Sequence, residues 1–139
     1  MGMIFNIKTL ATINLVVQAV LICTVLVAAY QAKIKRRLIR HCRIIRVAMV
    51  VQIITVVFIM LPWMLGYLKA PGTTLRTEIL VHHSLGILLI LLWGYINLAV
   101  AGRVRVLGKL AMYMRAALFI WGLVFLLGLY LYLRIYVMG

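Results

Sequence analysis

"RTEILVHHSLGILLILLWGY", residues 76–95, keeps its charges at one end: Arg76 and Glu78 precede a run from 79 to 102 that holds no Lys, Arg, Asp or Glu. A helix needs about 20 mostly apolar residues to cross a hydrocarbon core of ~30 Å. The run is long enough, and it predicts a membrane-spanning helix with two adjacent histidines, His82 and His83, at its mouth. Whether those imidazoles hold a cofactor or face a neighbouring helix is the chemical question the stretch raises.

Three more runs without Lys, Arg, Asp or Glu, at 9–32, 47–68 and 116–133, are of similar length. Over 139 residues the chain is 68% hydrophobic, with mean hydropathy +1.21, far above a soluble domain. The expected fold is therefore all-α, an integral membrane four-helix bundle forming a single transmembrane domain over 1–139. Its helices are expected at roughly 9–32, 36–68, 77–102 and 110–136. The first helix has one lysine, Lys8, before it, is longer than a usual signal-peptide core and lacks a small-residue cleavage site, so it is expected to be retained.

Lys and Arg beside short loops set orientation, whereas acids contribute little. Lys33, Lys35, Arg36, Arg37, Arg40, Arg43 and Arg46 lie between the first two helices, and Arg103, Arg105, Lys109 and Arg115 between the last two. Only Lys8, Lys69, Arg76 and Arg134 fall on the other side. This asymmetry predicts a multi-pass protein of the cell membrane with both basic loops in the cytoplasm and both termini outside. The net charge of +14 flanks membrane segments, so anionic lipid headgroups rather than nucleic acid are its expected partners. Cys23 and Cys42 make no metal-thiolate or disulfide framework, and their expected positions do not favour pairing.

Asn14 and Gln18, four apart, share one face of helix 1, which should point inward, where amides can hydrogen-bond across to another helix. Ile34, Leu38, Cys42 and Ile45 recur at roughly helical spacing, predicting that helix 2 begins in the cytoplasm and carries Gln52 and Thr55 into its buried part. Pro62 is expected near its last turn, Trp63 and Tyr67 at the interface, and Pro71-Gly72 as the following turn. Thr73, Thr74 and Thr77 are candidate N-caps for helix 3, and Glu78 falls in its first turn, where the helix dipole favours a negative charge. Along that helix His83, Ile90, Gly94 and Asn97 are expected to share the inward face, with Gly94 allowing close approach. Helix 4 carries Trp121, Gly122, Gly128, Tyr130, Tyr132 and Tyr136, the last tyrosines forming an interfacial belt.

With one carboxylate and no GxSxG, HExxH or phosphate-cradling glycine loop, hydrolase, kinase and synthetase chemistry lack their parts, and no enzyme is expected. No ionisable residue is placed near the expected midplane, which disfavours transport. Haem or metal remains. His41 precedes helix 2 on the cytoplasmic side and His82–His83 open helix 3 on the outer side, a bilayer apart, so one haem cannot use both. A b-type haem on His83 or His82 would take Met60 or Met64 as its second axial ligand. Alternatively Glu78, His82 and His83 could hold a metal such as copper, which suits imidazole and thioether donors. The reading adopted is that the histidines serve packing or partner contact, with no cofactor, haem b and copper being the alternatives.

A basic loop followed by His41 in "RRLIRHCR", a histidine early in helix 3 with Gly94 beyond it, and Trp121, Gly128 and Tyr132 in "WGLVFLLGLYLY" give the chain a further feature. In that order it resembles small four-helix membrane proteins of the YozB/CtaM type, which occur with respiratory oxidases and are implicated in assembling haem-copper oxidase. The likeness runs from about residue 30 to 137, and His83 is its better match on helix 3. It departs at Lys109-Leu110, where the family usually has a further histidine, so His41 here lacks that companion.

Together these features predict a non-catalytic accessory membrane protein that binds a partner membrane protein, by resemblance a respiratory oxidase, through Asn14, Gln18, Gln52 and Asn97. The alternatives are a b-type cytochrome or quinol-linked electron carrier with an outer-leaflet haem, and a structural subunit of a larger membrane complex.

Overall fold

The computed structural model describes residues 2–69 and 75–139, with the backbone alone for 2–7 and Leu68. The chain is all-α, and four of its segments are long and apolar enough to cross a membrane. It forms two compact units, Met1–Thr74 and Leu75–Gly139. Each contains a helical hairpin.

In the first unit α1 runs from Gly2 to Ile34, beyond both ends of the expected 9–32. The chain then reverses within three residues. Arg36 adopts φ +50, and the amides of Lys35 and Arg37 both reach back to the Gln31 carbonyl, at 3.1 and 3.4 Å. A side chain in this left-handed region costs ~1–2 kcal/mol, and glycine is its usual occupant. Helix α2 starts at Leu38, two residues after the expected 36, and Ile34 closes the first helix.

The second membrane segment is one continuous rod of three pieces: α2 (Leu38–Thr55), a π turn (Val56–Met60) and α3 (Leu61–Lys69). Pro62 does not end it. Proline has no N–H to donate and its ring meets the carbonyl four residues back, which ordinarily kinks a helix. Here the backbone widens just before it: the Leu61 amide bonds to the Val56 carbonyl, five residues back, and the helix continues to Lys69. In lipid this adjustment matters because freed backbone groups have no water to turn to. Trp63 and Tyr67, one turn apart, stack at 5.1 Å near the end of the rod.

The two rods meet along matching stripes. Gln18, Leu21, Val25 and Ala28 are buried on α1, and Ala48, Met49, Gln52 and Thr55 on α2. Alternating steps of three and four residues recur on α1, the spacing that keeps a seam facing an antiparallel neighbour.

The second unit pairs α4 (Arg76–Val100) with α5 (Leu110–Tyr136), the latter at its expected bounds. Its seam repeats the pattern: Ile79, His82, Leu89, Trp93 and Ile96 against Ala117, Trp121, Val124 and Leu131. Trp93 and Trp121 meet edge to face at 4.6 Å in its middle. Helix α4 ends two residues earlier than expected, because Gly102 at φ +70 closes it: its amide bonds Ala99 O at 3.1 Å and that of Arg103 bonds Leu98 O at 2.9 Å. This reciprocal pair satisfies two terminal carbonyls and needs a residue at ease in the left-handed region. At the other end Leu75 is the N-cap, without a side-chain bond, and Thr77 lies inside the first turn rather than capping it. Glu78 occupies that turn as expected. Pro71-Gly72, Thr73 and Thr74 lie outside the described residues.

Candidate functional site

The first unit places an amide pair inside its seam. The Gln18 Nε2 donates to Gln52 Oε1 at 2.6 Å, with both side chains buried. In hydrocarbon an unpaired amide has no water to satisfy it, so two glutamines turned to each other hold the helices in one register. The same register is held near the loop, where His41 Nδ1 lies 3.0 Å from the carbonyl of fully buried Ala28. Thr55 Oγ1 donates to Val51 O at 2.8 Å, closing its hydroxyl on its own helix.

The inward orientation expected for Asn14 and Gln18 is thus realised at Gln18, whose partner is Gln52 of the same hairpin. Asn14 is different. It is half-buried, and its Oδ1 is covered and without a hydrogen-bond partner among the described residues. Counting outward from the Gln18–Gln52 and Ala28–His41 contacts, the antiparallel register brings Asn14 level with the start of the π turn, which α1 touches. Met60 is the last residue of that turn and Met64 lies one turn beyond, both half-buried.

In the second unit the deeply buried imidazole is that of His82, 6% exposed. The sequence assigns the inward face to His83, Ile90, Gly94 and Asn97, whereas the observed seam lies one residue over, on 79, 82, 89, 93 and 96. Nothing lies within 4 Å of a Cβ built on Gly94, so it is not the point of close approach. That point is Gly128. A Cβ there would stand 3.0 Å from Cε1 of His82, tighter than nine in ten real Cβ contacts. The imidazole thus lies against the bare backbone of α5, close enough to Val124 for a backbone hydrogen bond. Its Nδ1 is buried with no hydrogen-bond partner among the described residues.

His83 is half-buried and stands edge-on to His82 at 5.1 Å. Its Nδ1 lies 2.7 Å from the Ile79 carbonyl, which selects the Nδ1–H tautomer and gives Nε2 the lone pair. Asn97 is used within its own helix, Nδ2 donating to Trp93 O at 2.8 Å. Glu78 is half-buried one turn before His82, and among the described residues no three of His, Cys, Asp and Glu gather as a metal-binding group. Cys23 and Cys42 are free thiols.

No family model matches the chain, and no curated protein or solved structure does. The chemistry of the site therefore rests on its own geometry.

Two tyrosines have a role that the sequence reading does not find. Tyr95 OH donates to Arg105 O and accepts from the Leu107 amide, both at 3.3 Å, while Tyr113 OH donates to Leu107 O at 2.6 Å. One comes from each helix, and their rings meet at 5.2 Å. They tie the basic loop of this hairpin to the helix ends below it. The only signal available in sequence is a tyrosine toward the loop-side end of each of the last two spans, which ordinarily reads as an interfacial belt.

Proposed function

We propose that the chain is a non-catalytic accessory membrane protein that binds a partner membrane protein, in the manner the YozB/CtaM-type resemblance implies, with its basic loops in the cytoplasm and both termini outside. The observation that supports it is Asn14. At hydrocarbon depth an amide oxygen without a donor costs ~1–3 kcal/mol, and the hairpin offers it none among the described residues. Rotation of this half-buried side chain turns the amide outward, where a neighbouring helix can supply both donor and acceptor. Between 17% and 22% of the most apolar window of each span is buried within the chain, which leaves ample helix surface for such a neighbour beside lipid.

The test is recovery from native membranes in mild detergent. The full chain is expected to bring down one membrane protein in constant ratio, and Asn14→Leu to lower that recovery about tenfold while the hairpin remains folded. Recovery of the chain alone, or a partner indifferent to Asn14→Leu, overturns the reading.

A second reading has one observation in its favour. His83 donates through Nδ1 to a backbone carbonyl, the arrangement that orients an imidazole for ligation through Nε2. A b-type haem or a copper ion on His83, with His82 beside it, is the chemistry this would serve. A reduced-minus-oxidised spectrum with a b-type band that is lost in His83→Ala establishes the haem form. Metal analysis of the purified chain tests the copper form.

A further inference from the structure

The loop that joins α4 to α5 combines features that belong together only at a membrane surface. Arg103, Arg105 and Lys109 are all exposed. Leu107, between two of them, is 78% exposed. The sole acid of the chain, Glu78, sits at the far end of α4, and the 25 residues of that helix separate its ends by ~37 Å. No carboxylate of this hairpin can therefore neutralise the loop.

Such a charged connection would ordinarily be mobile, and an anion binding to it would have to order it first. This loop is already ordered. The hydroxyls of Tyr95 and Tyr113 hold the Arg105 and Leu107 backbones from both sides, at 2.6 to 3.3 Å, and the reciprocal bonds at Gly102 fix its beginning. Directly below it are two membrane-length helices, so the loop lies at headgroup depth on whichever side it faces. There an exposed leucine enters the acyl boundary and cations beside it meet phosphates, the division that amphipathic interfacial segments use.

The geometry points to a pre-ordered binding site for the phosphodiester of an anionic phospholipid on loop 103–109, with Arg103, Arg105 and Lys109 as the phosphate contacts, Leu107 as the acyl-side anchor, and Tyr95 and Tyr113 as positioning residues. Arginine supplies a planar fork for phosphate oxygens and lysine a point charge. The site needs no protein partner and stands whether or not the chain binds one.

The test uses the full chain in phosphatidylcholine nanodiscs doped with phosphatidylglycerol, with retained lipid counted by native mass spectrometry. Phosphatidylglycerol is expected to be retained over phosphatidylcholine. Arg105→Gln and Lys109→Gln should each lower retention about fivefold, the equivalent of the ~1 kcal/mol a surface cation contributes. Arg36→Gln, in the other basic segment, measures the loss of one charge anywhere, and Arg105→Gln must exceed it. The decisive variants are Tyr113→Phe and Tyr95→Phe, which alter no charge and should lower retention about threefold. Retention unchanged in both tyrosine variants, or equal losses in Arg36→Gln and Arg105→Gln, would show diffuse attraction and overturn the site. Full displacement of the lipid by millimolar glycerol phosphate would mean that it takes free phosphate, and would overturn the assignment to lipid.

Discussion

The two hairpins use the same helix spacing and fill it differently. In the first, two hydrogen bonds cross the seam, Gln18 to Gln52 and His41 to the Ala28 carbonyl. In the second, a tryptophan pair occupies the middle, and the one buried imidazole lies against a glycine with its Nδ1 unmet among the described residues. The first seam derives its register from hydrogen bonds, which fail if either partner is removed. The second derives it from shape, which fails if the wrong atom is added.

The largest effect is therefore expected from adding volume at Gly128. Valine there would drive a branched side chain into His82, and overpacking of this kind costs about 1–3 kcal/mol. Gly122→Val is the control, because nothing lies within 4 Å of its Cβ position. Unfolding in mixed micelles should show Gly128→Val well below wild type and Gly122→Val near it, and adding His82→Ala to Gly128→Val should recover most of the loss. Equal losses at the two glycines would mean that the hairpin does not depend on this contact.

Removing one amide from the first seam should cost less, about 1–2 kcal/mol for Gln52→Leu, since an abandoned glutamine in a membrane finds partial substitutes. The sharper measurement is the double variant. Gln18→Leu with Gln52→Leu leaves no orphan and should return close to wild-type stability, because replacing both partners by apolar groups can be nearly neutral. If the two losses simply add, the pair is not coupled, and the contrast between hairpins disappears. Gly102→Ala follows at about 1 kcal/mol, the price of a Cβ in the left-handed region, with faster amide exchange at Arg103 as its local readout.

The architecture was readable because uninterrupted apolar runs leave few alternatives, and the limits of the last helix were readable because Arg103, Arg105 and Lys109 crowd the residues before it. The face of each helix was harder. In α4 almost every residue from 85 to 96 is apolar, so a stripe through 83, 90 and 97 and a stripe through 82, 89 and 96 look equally buried in sequence. What separates them is the partner: Gly128 opens room for one imidazole, and that information lies on another helix. On the first hairpin the inward face is legible at Gln18 and Gln52, each an amide in an otherwise apolar stretch. The turn at Arg36 was hidden for a different reason. It uses residues with good helix propensity and none of the glycine, proline or asparagine that usually mark a reversal.

Pro62 should give the smallest change in stability and the most local one. The sequence places it near the last turn of the helix, and the rod passes through it to Lys69 because the π turn at Val56–Met60 moves the backbone out of the ring's way. If proline causes that turn, Pro62→Ala returns an N–H donor and allows ordinary α bonding, with stability rising by less than about 1 kcal/mol because the widened turn already relieves the clash. Amide exchange at residues 57–61 should slow. But α1 also touches the π turn, at the level of Asn14, so packing is a rival cause. The two causes separate in one pair of measurements: under the proline account Pro62→Ala slows exchange and Asn14→Leu leaves it alone. If Asn14→Leu alone alters exchange at 57–61, the widened backbone belongs to the seam of the first hairpin, and that seam is then held by more than its hydrogen bonds.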